Sequence, residues 1–533
     1  MLRLCFLTAL LAGSLGGIFA NLANDVNNAV NGVQVTVVSP VHPILIRNEH
    51  GPTLKIVLDV KSDAAISVSK FAFRLDGTDD LTDLKSLSLY ACGSEDAFES
   101  AQPFGEAATP ATMVVFQGQQ KLVAGKNVFW LSTTLKPGAS LLHRMAASCV
   151  EIESTAGKLS PDLNSSAGSH RIGLALRKHQ DDGVHTYRIP ALSTSPKGTL
   201  LAVYDMRRRE GRDLQEDIDI GLSRSTDGGQ TWEPVRVIMD MGENAGLPQE
   251  LNGCSDPGLM IDQQTGEIFC FALWMQGKAG KHQWVDDGSE PGFDVGKTAQ
   301  FMMVRSTDDG LTWSSPANLT RSLKKESWWL FAPAPQSGFQ MADGTLVMPV
   351  QGRTGREPLE TFATVMISRD HGQSWSVGNP AYSGGNECQA ALLSDNSIML
   401  NIRNDHERFR AVTVTKDLGQ TWDAHPTSRR TLIEPNCNGS LLRVAYERNG
   451  ETRHALLFAN PHTQKGRTHH TIQVSFDDGM TWPESHHLLL DEGRGAGYPS
   501  LTQIDKDHVG IVYEGSQAHL VFEKFSLAEL LKE

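Results

Sequence analysis

The sequence predicts an all-β protein: a six-bladed β-propeller preceded by a small β-sandwich. Three observations carry this. An eight-residue phrase, S/T-x-D-x-G-x-T/S-W, occurs five times, beginning at Ser225, Ser306, Ser368, Thr415 and Ser475 and closing at Trp232, Trp313, Trp375, Trp422 and Trp482. Alternating apolar and polar residues precede several copies, as in Ile218-Asp219-Ile220-Gly221-Leu222-Ser223, the period of a strand. The chain before residue 168 lacks the phrase, yet it also breaks into short apolar runs separated by Gly, Asp and Pro.

Each position of the phrase has a physical job. The Asp accepts hydrogen bonds from nearby backbone N–H groups and folds an Asx-type turn. The Gly supplies the positive φ that closes it. The Trp anchors the turn against the body of the fold. The closing Trp residues lie 81, 62, 47 and 60 residues apart, an irregular repeat of several strands, as in a propeller with insertions. Five equivalent carboxylates on five blades cannot all line one site, so all five are expected to be structural.

At 533 residues the chain has room for one small domain and a large propeller. Composition is that of a globular protein, 40% apolar and 21% charged. A formal charge of −14 argues against nucleic acid or an anionic membrane surface as the main partner. It leaves an anionic small substrate open, because local charge can oppose net charge.

In chain order, residues 1–20 have the pattern of an export signal: Arg3, an apolar core from Leu4 to Leu11, and a cleavage site after Ala20. Gly13, Ser14, Gly16 and Gly17 interrupt that run, against a membrane anchor, and no later stretch is apolar enough to cross a bilayer. The mature chain is therefore expected to be exported, to the periplasm, the cell surface or the medium. Six cysteines remain: Cys92, Cys149, Cys254, Cys270, Cys388 and Cys437. None forms a C-x-x-C pair, so no zinc site is expected. Cys92 with Cys149 is the only pair the first domain offers, and buried free thiols are the alternative.

Residues 21–168 are assigned to the sandwich, with strands at 43–46, 54–58, 112–116 and 127–131. A carbohydrate-binding module and a packing domain without ligand compete there. The domain's single Trp130, in a run that looks buried, favours the second. The breaker-rich stretch 160–169 is placed as linker. Residues 169–533 suffice for six blades of four strands at roughly 60 residues each, and a closing helix is expected at 526–532 with Ser526 as its cap.

The chemistry begins at His185-Thr186-Tyr187-Arg188-Ile189-Pro190. An Arg within a strand needs a partner: either a structural ion pair or a carboxylate of the substrate, gripped through two parallel hydrogen bonds. Arg-Ile-Pro-Ala followed by the repeated phrase resembles the exo-α-sialidases, the retaining neuraminidases of bacteria and animals, whose Asp boxes the five copies match. The resemblance covers about 170–533 and implies three arginines on the carboxylate of sialic acid.

Arg188 fits the first. The family's acid/base Asp falls at Asp213, with Glu216 and Asp217 as neighbouring alternatives. Arg207 fits an additional sugar-contacting arginine, with Arg208 its rival. Asn386-Glu387-Cys388-Gln389 and Leu400-Asn401-Ile402-Arg403 resemble the segments of the Glu base and the second arginine, while Arg408 and Arg410 lie in what reads as a solvated turn. Arg467 fits the third arginine better than Arg453, which precedes the strand. Gly497-Tyr498 resembles the nucleophile segment, with Pro499 a departure beside it; Tyr513 reads as an ordinary strand residue. Asp256, in Asn252-Gly253-Cys254-Ser255-Asp256-Pro257, resembles a residue near the N-acetyl pocket, and Trp274 and Met275 are candidate walls of that pocket. The run from Lys281 to Phe293 offers an aromatic lip.

The chemistry explains this inventory. Sialic acid bears a carboxylate on its anomeric carbon, which would repel an anionic nucleophile, and sialidases with a Tyr nucleophile are the exception among retaining glycosidases. A phenol of pKa near ~10 needs a base, which the resemblance makes Glu387. Asp213 then protonates the leaving oxygen and later activates water. Asp213 must carry a proton among cations, so a mildly acidic optimum is expected, or a substrate that dries its loop. No metal or cofactor is implied. The expected partners are sialylated glycans on mucin-type glycoproteins, glycolipids such as gangliosides, and oligosaccharides. A trans-sialidase, a sialic acid-binding lectin and a non-enzymatic propeller are the rivals; the last two have no use for Asp213, Glu387 and Tyr498 together.

Overall fold

A computed structural model describes residues 32–532 apart from 62–64, 162–166, 215, 245, 277–280, 282–286 and 357–359. The expected export signal and residues 282–286 of the expected lip lie outside the described residues.

The N-terminal part packs two sheets face to face. One is ordered Val33–Val38, Pro52–Val60, Gly125–Leu135, Leu84–Ala91; the other contains Arg144–Ser154, Ser67–Arg74 and Met113–Lys121. Their inner faces meet in a phenylalanine core of Phe71, Phe73, Phe104, Phe116 and Phe129, as alternating strands in a sandwich require. Trp130 is buried and its Nε1 donates to the Asp96 carbonyl at 3.2 Å. The run at 43–46 behaves otherwise than expected. Ile44–Ile46 leaves the sandwich and pairs in parallel with Ile172–Leu174. Its apolar residues predict a strand but not the strand's partner.

Six sheets follow around a central axis. Blade 1 is Thr186–Thr194, Leu200–Arg207, Ile218–Ser225 and Arg236–Met239; blade 2 begins with Cys254–Ile261, Ile268–Trp274 and Gln300–Ser306. Blade 3 is built on Leu330–Pro333, Leu346–Gly355 and Glu360–Ser368, and blade 4 on Gly385–Leu392, Ile398–Asn404 and Ala411–Thr415. Blade 5 is Ser440–Arg448, Glu451–Pro461, His470–Ser475 and His487–Asp491. Blade 6 is Pro499–Gln503, His508–Tyr513 and Leu520–Ser526, closed by the strand that precedes blade 1, Ala167–Arg177.

That closing strand also pairs through Ala167–Arg171 with Arg144–Ser154 of the sandwich. The boundary expected at 168/169 thus falls within a strand shared by both parts. Arg171 secures the joint: its guanidinium lies over Phe525 and donates to Glu529 at 2.5 Å. Leu527–Leu531 is the closing helix, and Ser526 Oγ accepts from the Glu529 N–H at 3.2 Å as its cap.

All five phrases start on the last residue of a blade's third strand. In the first, Ser225 Oγ donates to Asp227 and accepts from the Gly229 N–H, Asp227 accepts from the Thr231 N–H at 2.9 Å, and Trp232 Nε1 reaches the Gly229 carbonyl at 3.0 Å. Gly229 has φ 92, and the other four copies place their glycine likewise. These turns stand at the end of each blade opposite the starts of the inner strands, so the repeated Asp is structural. All six described cysteines are free and buried, Cys92 and Cys149 included. Among the described residues no helix is long and apolar enough to cross a membrane.

Candidate active site

The site forms where inner strands begin and second strands end. Three inner strands carry a bulge there, between Arg188 and Ala191, Ser255 and Gly258, and Gly385 and Cys388. A bulge re-aims a side chain, and these three present Arg188, Asp256 and Glu387. Two adopt left-handed backbone at non-glycine residues, Ile189 with φ 55 and Asp256 with φ 59. For a β-branched residue this is strained. Ile189 is held there by its N–H, which donates to Glu514 Oε1 at 2.8 Å, and by packing against Cys437 and Tyr498.

Tyr498 stands at the centre. Its phenol donates to Glu387 Oε1 at 2.5 Å. Arg403, from the end of a second strand, donates through Nη1 to Glu387 Oε2 at 2.6 Å and to the Tyr498 oxygen at 2.9 Å. Arg188 and Arg467 flank the ring, each guanidinium 5.5 Å from its centroid. Burial, then the Glu387 carboxylate, push the Tyr498 phenol well above its ordinary value of 10, against the pull of Arg403 and Arg467. The phenol is therefore neutral at rest, with a base in contact. Pro499 opens its strand opposite Tyr513, a first position where a missing N–H is tolerated.

Arg207 is fully buried. It donates to Asp205 Oδ2 at 2.9 Å and pairs through Nη1 with Asp213 Oδ1 at 2.7 Å. Asp213 is half-exposed on the loop after blade 1's second strand. Asp256 is buried, and its backbone N–H donates to Asp205 Oδ1 at 3.0 Å. Burial, then Asp205, Glu387 and Asp213, push the Asp256 carboxyl well above the usual carboxylate range. A neutral Asp256 is a hydrogen-bond donor as well as an acceptor.

All eight residues singled out from the sequence thus fall at one end of the propeller. The rivals are engaged in other pairs. Arg208 is committed to Asp219 at 2.8 Å, Asp217 accepts from Gln249, and Glu216 pairs with Arg209 at 3.7 Å. Arg453 is exposed beside Glu451, and Tyr513 donates to buried Glu523 at 2.9 Å. Arg410 differs from the solvated setting its neighbours suggest: it is fully buried, donating to Asn401 and paired with Glu434 at 3.3 Å. Trp274 and Met275 are buried in apolar clusters. Phe293, at the end of the expected lip, lies under Arg321, 4.9 Å from its guanidinium.

Three residues were missed from sequence. Glu514 is buried and holds three donors: Arg188 Nε at 2.6 Å, the Ile189 N–H, and the Tyr498 N–H at 2.9 Å. Burial alone would raise its carboxyl; Arg188 and the two N–H groups overcome this and hold it below 4.5. A charge ending the apolar run Ile511-Val512-Tyr513 was the available signal. Asp205 joins Arg207 to the Asp256 bulge, and Asn436 accepts from Arg403 Nε at 2.6 Å. Neither stands out from ordinary strand and turn residues. Among the described residues no group of three or more His, Cys, Asp or Glu is placed to hold a metal ion.

Comparison with known proteins places the chain in a family. A BNR repeat-like domain model matches residues 198–512, and the N-terminal domain of BNR-repeat neuraminidase matches 33–157. A sialidase of Bacteroides fragilis is 39% identical over 518 residues, covering 92% of this chain and 94% of that protein. A sialidase of Micromonospora viridifaciens is 33% identical, covering 66% of this chain and 53% of its own length. The solved Hadza microbial sialidase Hz136 superposes with a TM-score of 0.87 at 36% identity, covering 93% of this chain and 99% of that one.

Proposed function

Since the chain belongs to the BNR-repeat neuraminidases, the sialidases, we propose that it is a retaining exo-α-sialidase acting through a tyrosyl-enzyme intermediate. The observation that carries this is the 2.5 Å hydrogen bond from Tyr498 to Glu387, set among Arg188, Arg403 and Arg467.

The three guanidiniums receive the carboxylate of a terminal sialic acid and bring its anomeric carbon to Tyr498. Glu387 takes the phenolic proton as the Tyr498 oxygen attacks that carbon. The glycosidic bond breaks, and Asp213 gives its proton to the departing oxygen. In the second step Asp213 takes a proton from water, the water oxygen replaces Tyr498 on the anomeric carbon, and Glu387 returns the proton to the phenolate. Two inversions give net retention. A neutral nucleophile avoids the repulsion that a carboxylate would meet, and the raised phenol pKa explains why the base must touch it. A sugar hydroxyl that engages Arg207 competes for the edge now paired with Asp213 and so frees the acid for its task.

Because these groups address only the terminal sugar, the proposed substrates span sialylated glycoproteins, glycolipids including gangliosides, and oligosaccharides. We propose export for the chain on the pattern of residues 1–20. The test is release of a fluorogenic aglycone from its α-sialoside by wild type and Tyr498→Phe. Release by wild type with at least a thousandfold loss in the variant is expected. A variant within tenfold of wild type rules out Tyr498 as nucleophile. Binding without release by wild type turns the reading to a lectin.

A further inference from the structure

Resting on that assignment, we infer that Asn436 is a positioning residue that fixes the carboxylate-binding edges of Arg403 and Arg467. Arg403 has three nitrogens. Nη1 is occupied by Glu387 and Tyr498, and Nε donates to Asn436 Oδ1 at 2.6 Å. Nη2 makes no hydrogen bond among the described residues, so it is the edge left for an incoming anion. The backbone carbonyl of the same Asn436 accepts from Arg467 Nη2 at 3.4 Å. One residue therefore touches two of the three arginines, through its side chain and its backbone.

The turn that carries Asn436 is itself clamped. Glu434, fully buried, accepts from the Cys437 N–H at 3.1 Å and the Asn404 N–H at 2.7 Å. Arg410 donates to the Cys437 carbonyl at 2.9 Å. Asn436 has φ 57, which Asn tolerates and Gly adopts freely. Glycine would meet the backbone requirement alone; the Asn side chain adds the hold on Arg403. With Nε and Nη1 both held, the plane of the guanidinium fixes where the two Nη2 hydrogens point. With Nε anchored, Arg403 keeps one edge on the nucleophile–base pair and presents the other to the substrate carboxylate.

Glycine also supplies the clean test, because Asn436→Gly keeps the left-handed turn and removes only the amide. The variant is compared with wild type for melting temperature, for kcat and KM on a fluorogenic sialoside, and for Ki of 2,3-didehydro sialic acid against its methyl ester. The ester keeps the sugar and removes the charge. The expected result is a melt lowered by no more than about 3 °C, KM raised about 10–100-fold, the size of losing one hydrogen bond to a charged group, and a preference for acid over ester that shrinks by a similar factor. A preference within threefold of wild type overturns the inference, even if kcat falls, because a merely structural residue would weaken acid and ester alike. Wild type that neither cleaves nor binds sialosides sinks the functional assignment and this inference together; cleavage by wild type with an unchanged preference in the variant sinks this inference alone.

Discussion

Glu514→Gln isolates the support beneath Tyr498. Glu514 accepts from Arg188 Nε and the Ile189 N–H on one oxygen and from the Tyr498 N–H on the other. Glutamine has one acceptor oxygen. If it faces Arg188 and Ile189, its NH2 group confronts the Tyr498 N–H, leaving a buried donor unsatisfied at about 1–3 kcal/mol. The negative charge of buried Glu514 opposite half-buried Arg188 is also lost, and breaking such a pair costs about 3–5 kcal/mol. The two overlap, so a total near 3–5 kcal/mol is expected, a fall in melting temperature of roughly 3–5 °C.

Activity should fall further than folding explains, because Arg188 and the backbone of Tyr498 both lose their anchor. A decrease of about 10²–10³ in kcat/KM corresponds to roughly 3–4 kcal/mol of transition-state stabilisation. The assays are a thermal melt and the fluorogenic sialoside. The acid limb adds a signature. Glu514 is held below its ordinary 4.5, so its contribution to stability is present above that pH and is lost as the pH falls through the depressed value. The variant should lack this loss. A variant that melts within 2 °C of wild type and retains a third of its kcat/KM would refute the reasoning.

Three further outcomes follow from the same geometry. Asp213→Asn should slow alkyl sialosides at least a hundredfold but aryl sialosides with good leaving groups much less, as steady-state rates on both will show; equal losses would remove Asp213 as the acid. Glu523 is buried, and burial, against the pull of Arg171, holds its carboxyl up at about 7, so its contribution to stability is complete below 4.5 and lost as pH rises through about 7. Melting temperatures of Glu523→Gln between pH 5 and 8 should therefore decline less than those of wild type, and parallel curves would contradict this. Asp477→Ala, in the turn of blade 5, removes the bonds from Ser475 and Thr481 and should cost about 1–2 kcal/mol in a denaturant titration with kcat/KM within twofold; loss of activity without loss of stability would give the repeated Asp a role it lacks here.

Much of the architecture was legible because the chain states it repeatedly. Five copies of one phrase fix where third strands end, and the Ser–Asp–Gly–Thr pattern names its own hydrogen bonds. Partner choice was less legible: Ile44-Leu45-Ile46 carries a strand pattern, but nothing in three apolar residues says that they pair with the last blade. The residues that meet at this end were singled out through motif order, since Arg188, the Glu387–Arg403 segment and Tyr498 lie far apart in sequence and meet only at the ends of strands. The backbone that aims them was hidden. Ile189 is β-branched and reads as ordinary strand, yet it takes a positive φ that the Glu514 contact maintains. Asn436 and Arg410 look like surface turn residues; a buried network makes one a clamp and the other its support.

The proposed covalent tyrosyl intermediate is formed and broken at one carbon. Proton NMR during hydrolysis of an α-sialoside tests it most directly, read before the free sugar mutarotates. The α-anomer of sialic acid should appear first and the β-anomer accumulate later. Initial release of the β-anomer would mean a single inversion, with no place for Tyr498 on the anomeric carbon.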